Sequence, residues 1–340
     1  MNDVSAGVDK PHQNETKTLN FEFRGDGMEY FKIWIVNVLL TIVTLGIYSA
    51  WATVRNKRYF YSNLYLGEDN FRYLAEPLTI LKGRIIAVIA FIIYMAASAL
   101  FPVAAMIFLL ILIISIPYFI NQSLAFNNRM TSFKNIQFRF KSTYGEAFMV
   151  AYVWPVLGML TIGILYPLFF VKANKYVVNN SAYGTTNFEF DATYKDYGII
   201  FLTLIGIGAV ASILIFALTN IGSQATAALI PIIMVLMYFG LIVYFIVATA
   251  NLFYKSVSIS GHNFDADLTI QGMAKVILIN AFFTLITLGL YLPAAKVRMT
   301  KYVSSCLTMH VDGDLNNFVA AEKESVSALG EEIGQVFDFT

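Results

Sequence analysis

Thr44-Leu-Gly-Ile-Tyr-Ser-Ala-Trp-Ala-Thr-Val-Arg-Asn-Lys-Arg-Tyr59 closes the first apolar run of this chain. The pattern returns ungapped as Thr161-Ile-Gly-Ile-Leu-Tyr-Pro-Leu-Phe-Phe-Val-Lys-Ala-Asn-Lys-Tyr176 and as Thr287-Leu-Gly-Leu-Tyr-Leu-Pro-Ala-Ala-Lys-Val-Arg-Met-Thr-Lys-Tyr302, at offsets of 117 and 126 residues. Each copy ends an apolar run and leaves it through a basic, tyrosine-terminated segment. A pattern carried three times at such spacing marks an internal repeat built around a membrane element. It contains no reactive group.

The composition around these stretches is that of a membrane protein. The chain is 58% hydrophobic and 13% charged, with a mean hydropathy of +0.64, far from the soluble average. No Asp, Glu, Lys or Arg occurs in the 44 residues from Ile85 to Asn128 or the 58 residues from Tyr197 to Tyr254. A spanning helix needs ~20 apolar residues, so each run has room for two spans and a turn. Pro102 punctuates the first run, and Thr219 to Gln224 the second, so both are expected to be transmembrane helical hairpins. Residues 1–18 are polar and lack a cleavable signal pattern, which leaves insertion to the first membrane segment. The single cysteine, Cys306, excludes an intrachain disulfide and a multi-cysteine metal site. A net charge of +1 carries no nucleic-acid signature.

The repeat divides the chain into a polar N-terminal segment (1–18), unit 1 (19–127), unit 2 (128–254), a truncated unit 3 (255–318) and an acidic amphipathic tail (319–340). Each unit opens on a short alternating segment, Phe21–Phe23, Phe138–Phe140 or Asn263–Ala266. After the membrane run comes a turn and an Asn-Phe pair, at Asn70-Phe71, Asn187-Phe188 and Asn317-Phe318. Alternating aromatics beside Gly, Asp and Asn predict short β-like hairpins at the membrane face. In the tail, Val326, Leu329, Ile333 and Val336 alternate with Glu322, Glu324, Glu331 and Glu332 at helical spacing.

Two topologies follow. If each Thr-x-Gly run crosses once, the chain makes seven spans and successive units are inverted, so Arg58 and Lys175 face opposite sides against the positive-inside tendency. If each run breaks at the Thr-x-Gly and returns, every basic ending lies on one side. The second arrangement requires the turn to be sheltered by protein or water at membrane depth.

Two constellations are candidates for binding. Asn37, Thr41 and Thr44 match Asn280, Thr284 and Thr287; Asn at i with Thr at i+4 and i+7 forms a polar stripe on one helical face. Such groups face either a solute path or another helix. Arg55, Arg58, Lys172, Lys175, Arg298 and Lys301, with Lys57 and Lys296, are candidate contacts for anionic lipid or solute, or anchors beside Tyr59, Tyr176 and Tyr302. Gly206 and Gly208 suit close helix packing rather than a dinucleotide loop. His12, His262 and His310 lack metal-ligand spacing, and no catalytic constellation is visible. No cofactor is expected, and the partners expected are membrane lipids with a small solute or a protein.

The stretch from Phe23 through Asn37 and Tyr48 to Trp51 and Tyr59, with the tail Gly330–Phe339, resembles the YjgN-like bacterial inner-membrane proteins, the family called domain of unknown function 898. The resemblance spans nearly the whole chain and implies a multi-pass protein of the bacterial cytoplasmic membrane; it brings no activity and no binding residues. The expected fold is an all-α polytopic membrane protein, with pseudo-repeats of a Gly-broken, re-entrant or crossing segment, transmembrane hairpins, and short β-like hairpins at the cytoplasmic face. Its expected function is binding or conduction of a small solute, with a membrane-organising or complex-assembly role as the alternative.

Overall fold

A computed structural model describes residues 17–313 and 315–337. The chain makes five excursions from a common base. Strand β1 (Lys17–Phe23) leads into helices α1 (Gly27–Val43) and α2 (Ser49–Ser62), then β2 (Leu64–Leu66) and β3 (Asp69–Tyr73). Helices α3 (Pro77–Leu100) and α4 (Pro102–Arg129) follow, then β4 (Thr131–Phe133) and β5 (Ile136–Phe140). The third excursion rises through α5 (Tyr144–Phe148), a π-helical turn (Met149–Val153) and α6 (Trp154–Leu160), and returns as α7 (Tyr166–Asn179). The π-turn lies just before Pro155, whose missing N–H and ring clash displace the preceding turn. Strands β6 (Ser181–Tyr183), β7 (Thr186–Asn187) and β8 (Glu189–Phe190) precede α8 (Tyr194–Ile221) and α9 (Gln224–Lys255). Strands β9 (Val257–Ile259) and β10 (His262–Ala266), helices α10 (Ile270–Ile286) and α11 (Leu292–Ser305), β11 (Leu307–Val311) and α12 (Leu315–Phe337) complete the chain.

The base corrects the expectation of an all-α fold. The strands form one 11-stranded antiparallel sheet in the order β7-β6-β5-β4-β3-β2-β1-β11-β10-β9-β8. Because β7 and β8 flank Phe188 in one continuous segment, the two ends of that order meet and the sheet curls into a barrel-like ring. Each longer strand pairs through its first half with one neighbour and its second half with the next. Thus Asp69 and Asn70 oppose Leu66 and Tyr65, whereas Phe71 to Tyr73 oppose Phe133 to Thr131. The final position is filled by two distant segments, since β1 pairs with β11 as Leu19↔Met309 and Asn20↔Thr308. The sequence predicts short β-like hairpins; the strands run from two to seven residues and close on one another.

Every helical excursion starts and ends on the sheet, which places Arg58, Lys175 and Lys301, near the C-terminal ends of α2, α7 and α11, on the same side of the molecule. Five helix N-caps occupy matching places five residues after an aromatic strand position: Asp26, Glu76, Thr143, Thr193 and Thr269. The Asp26 carboxylate accepts from the Met28 and Glu29 amides at 2.8 and 3.1 Å, satisfying donors that a helix start leaves open.

The wall has two heights. Helices α3, α4, α8 and α9 hold 24 to 32 residues, or about 36–48 Å, and all four contain stretches long and apolar enough to cross a membrane. Helices α1 and α10 have 17 residues and α2 and α11 have 14, or about 21–26 Å.

The Thr-x-Gly turns cap these shorter pairs. Leu45, Ile162 and Leu288 lie at φ 49 to 52°, and Gly46, Gly163 and Gly289 at φ 91 to 93°. The Gly46, Gly163 and Gly289 amides donate back to Thr41, Gly158 and Thr284 carbonyls, each at 2.8 Å, closing a Schellman turn. The threonine hydroxyl joins the arms: Thr44 Oγ1 donates to the Leu40 carbonyl at 2.7 Å and accepts from the Tyr48 amide at 2.9 Å. Thr161 and Thr287 do the same.

Candidate functional site

The centre of the sheet brings together residues from every excursion. Phe21, Phe71, Phe138, Phe188 and Phe264 hold equivalent positions, each preceded by Asn or Gln, and all five line one apolar cavity of about 200 Å³. Neighbouring ring centroids lie 6.2 to 6.5 Å apart for Phe264–Phe21, Phe21–Phe71, Phe71–Phe138 and Phe138–Phe188, within aromatic contact range. A second tier comes from the three-residue strands β2, β4, β6 and β9 and from β11: Leu66, Phe133, Tyr183, Ile259 and Met309, all buried. Four second-tier residues oppose a ring phenylalanine, in Phe21↔Leu66, Phe71↔Phe133, Phe138↔Tyr183 and Phe264↔Met309, whereas Ile259 opposes His262. The pentad is thus a direct product of strand register.

Helix α12 completes this cavity with Leu315, Phe318 and Val319. Phe318 packs on Tyr183 and edge-on to His262, with centroids at 6.0 and 5.1 Å. The buried Glu322 carboxylate accepts from the Thr185 amide at 2.7 Å, the Thr185 hydroxyl at 2.9 Å, and the Thr186 hydroxyl. Lys134 adds a 2.8 Å bond to the Asn316 side chain and pairs with Asp69 at 2.9 Å. Burial pushes the Tyr183 hydroxyl's pKa up and the His262 imidazole's down, the latter opposed by nearby Asp312. His262 Nδ1 accepts from the Asp312 amide at 3.0 Å, so the ring is neutral at that nitrogen. Val326 is half-buried, while residues 1–16 and 338–340 and the side chains of Leu329, Glu331, Glu332, Ile333 and Val336 lie outside what the structure describes.

The predicted polar stripes lie within the short hairpins. Asn37 is buried and donates to Asn56 Oδ1 on the opposite arm at 2.9 Å. Asn280 donates to the Ala295 carbonyl at 3.0 Å and accepts from Arg298 at 3.4 Å. Thr41 Oγ1 donates to its own helix at the Asn37 carbonyl, 2.6 Å away; Thr44 and Thr287 serve the turns, and the Thr284 carbonyl accepts one of the turn bonds. The predicted cations are spread over α2, α7 and α11 rather than clustered. Arg58 donates to the Ala75 carbonyl at 2.9 Å, and Lys172 and Arg298 lie over Trp154 and Tyr291. Among the described residues Arg55, Arg58, Lys172, Lys175, Arg298 and Lys301 form no ion pair with a carboxylate. Tyr59 and Tyr302 hydrogen-bond the N-caps Asp26 and Thr269, fastening each returning helix to the start of its excursion.

Around the phenylalanine pentad the helices stand as a closed single file. Successive excursions touch through α2–α3, α4–α5, α7–α8, α9–α10 and α11–α1. In the most apolar stretches of the four long helices no more than 11% of residues are buried. A helix that is apolar all round and contacts only its neighbours in the file presents apolar surface both outward and toward the middle.

A model of the family described as bacterial protein of unknown function (DUF898) matches residues 18–336. The inner membrane protein YjgN of Salmonella typhimurium is 26% identical, with 95% of this chain and 94% of the relative aligned. The protein of the same name from Escherichia coli K12 is also 26% identical, over 90% and 91% of the two chains. No solved structure matches.

Proposed function

This chain belongs to the DUF898 family of bacterial membrane proteins, and from that premise we propose that it binds and passes an apolar or amphipathic molecule, an acyl chain in its simplest form, between the bilayer and the base of the ring. The observation that carries this reading is the phenylalanine pentad, which lines an apolar cavity at the base of a ring of apolar helices. Three of the five excursions stop at the Thr-x-Gly turns, whose tips Leu45, Ile162 and Leu288 are more than nine-tenths exposed. Beyond that depth only two helical pairs make the wall, so the enclosure opens sideways to hydrocarbon. Water inside it would meet apolar side chains at a cost of roughly 25 cal/mol per Å²; lipid tails would not. The sheet is the cytoplasmic face, because both long-hairpin tips are uncharged and the basic helix endings gather at the sheet. On this reading the five matching strand positions are equivalent units around the cavity. The role requires no catalytic group.

A reporter at the pentad tests the reading. With Trp34, Trp51 and Trp154 replaced by Phe, Phe138→Trp gives a single fluorophore in the pentad. Vesicle-reconstituted protein is expected to lose fluorescence when dibrominated stearate is added, and to lose more when α12 is truncated after Asp312. A folded protein whose reporter ignores the brominated chain would overturn the proposal and favour the membrane-organising role.

A further inference from the structure

Outside the pentad, the first long hairpin carries a second apolar groove, of about 750 Å³, between α3 and α4. It runs from Gly83 and Phe119, toward the sheet, to Tyr94 and Phe108, further into the wall. Eleven residues of helix span about 16 Å, half of a ~30 Å hydrocarbon layer. Gly83, Ala87 and Ala90 make α3 smooth at the sheet-ward end, Phe91 and Tyr94 follow on the same helix, and Phe108 and Phe119 line the groove from α4.

Next to Gly83 in α3, level with the sheet-ward end of this groove and with its guanidinium turned toward α2, stands Arg84. Its guanidinium donates to the Thr53 hydroxyl at 2.8 Å and to the Ser49 hydroxyl, both on α2. Among the described residues it has no carboxylate partner, and the sequence contains no Asp or Glu between Glu76 and Glu146, nor any within α2. Lys82, two residues away, is exposed. A guanidinium has five N–H donors in a planar fork suited to phosphate oxygens. Two are oriented by hydroxyls, which leaves the rest to meet an anion. A half-buried cation inside a membrane wall, without a counter-charge among the described residues, calls for one from outside. The groove beginning at its neighbour Gly83 calls for a hydrocarbon chain one leaflet long.

We infer that α2, α3 and α4 form a binding site for one anionic glycerophospholipid, its phosphate on Arg84 with Lys82 nearby and an acyl chain in the α3–α4 groove. This site stands apart from the pentad and does not depend on passage through it. Charge complementarity selects the headgroup, and the groove distinguishes a lipid from free phosphate.

The test is native mass spectrometry of the full-length protein after exchange into nanodiscs of equal phosphatidylglycerol and phosphatidylcholine. The wild-type protein is expected to retain phosphatidylglycerol preferentially; equal retention of the two lipids overturns the inference without recourse to any variant. Arg84→Gln is expected to lower retained phosphatidylglycerol about tenfold relative to phosphatidylcholine, with Arg84→Lys recovering part of it; retention unchanged in Arg84→Gln also overturns the site. A Cβ at Gly83 meets nothing within 4 Å, so a side chain can start there, and Gly83→Leu places bulk at the groove's lining. It is expected to reduce lipid retention while Arg84 stays in place. Displacement of the lipid by millimolar glycerol phosphate, with Gly83→Leu having no effect, would show a phosphate site without a tail and would overturn the lipid assignment.

Discussion

The base and the wall of this protein are made by the same five chain excursions but are held together by different forces. In the base, Leu66, Phe133, Tyr183, Ile259 and Met309 are buried by protein, and each phenylalanine of the pentad packs on neighbours from other excursions. In the wall, α3 has no buried residue at all. The base supplies its own apolar environment, so its cohesion comes from packing and from the removal of apolar surface from water. Away from the buried clusters at its foot, the wall gains little from internal contacts and relies on a bilayer to receive its side chains, since lipid tails are as apolar as leucine. The sheet is the part that specifies the architecture, and the helices are the part that specifies the solvent.

Truncation in the two regions breaks or sharpens that contrast most strongly. Phe71 lies 4.8 Å from Phe133 and 6.4–6.5 Å from Phe21 and Phe138, ring centroid to centroid. Phe71→Ala is expected to cost about 3–5 kcal/mol. Ile93, on α3 and more than half exposed, faces surroundings that fill in after truncation, so Ile93→Ala is expected to change stability by less than about 1 kcal/mol. Thermal unfolding of the two variants in lipid nanodiscs measures both; equal losses would mean that the wall is packed as tightly as the base.

A smaller effect is expected where α12 meets the base. Glu322→Gln retains shape and loses the charge-assisted part of three hydrogen bonds, worth about 1.5–3 kcal/mol. A Cβ at Gly184, which has φ +62°, would overlap the Glu322 carboxylate, so Gly184→Val should loosen α12 by a different route. Tryptic cleavage at exposed Lys323 should quicken in both variants while cleavage elsewhere is unchanged. If neither quickens, Glu322 does not secure the helix.

Acidification acts on the same contact. Burial lowers the pKa of His262 in the folded state, so the unfolded chain binds the proton first as pH falls. The stability that neutral His262 contributes is therefore complete above its ordinary pKa of ~6.5 and declines as pH drops from there toward the depressed folded value. Protonation would also turn Nδ1 from an acceptor for the Asp312 amide into a donor. Cleavage at Lys323 should accelerate below about pH 6, and His262→Gln should flatten that dependence.

How much of this was legible follows from the range of each interaction. The Thr-x-Gly turns were readable because a Schellman turn and its threonine bonds are settled within six or so residues. The Asn-Phe pairs at Phe71 and Phe188 were readable as parts of short hairpins, and so were Phe21, Phe138 and Phe264 in alternating segments; the third pair, at Phe318, was read the same way but lies on α12. Offsets of 117 and 126 residues put them in two classes, however, because the repeat then visible was the spacing between short hairpins. The sheet merges the classes, since a long and a short helical excursion both return to the same kind of strand. That equivalence rests on pairings such as Leu19↔Met309, across nearly the whole chain, and local patterning carries no information about them. Arg84 was hidden for another reason: the hydroxyls that orient it, Ser49 and Thr53, belong to the preceding helical pair.

The smallest effect concerns the short tips, where base-like backbone precision meets wall-like exposure. Leu45 occupies left-handed space at φ +50° and is 95% exposed. A side chain there carries a steric cost of about 1–2 kcal/mol relative to glycine, and its surface gains nothing from protein packing. If the tip lay in water, Leu45→Gly would remove strain and an exposed apolar group together, and stability would rise. If it lies in hydrocarbon, the lost transfer of a leucine side chain, about 1.5–3 kcal/mol, opposes the relief of strain. Leu45→Asn separates the two, because asparagine tolerates the left-handed conformation but not lipid. Insertion and stability are expected to be little changed by Leu45→Gly and reduced by Leu45→Asn, as measured by thermal unfolding in nanodiscs. Equal behaviour of the two variants would place the tip in water and close the enclosure to the bilayer at that depth.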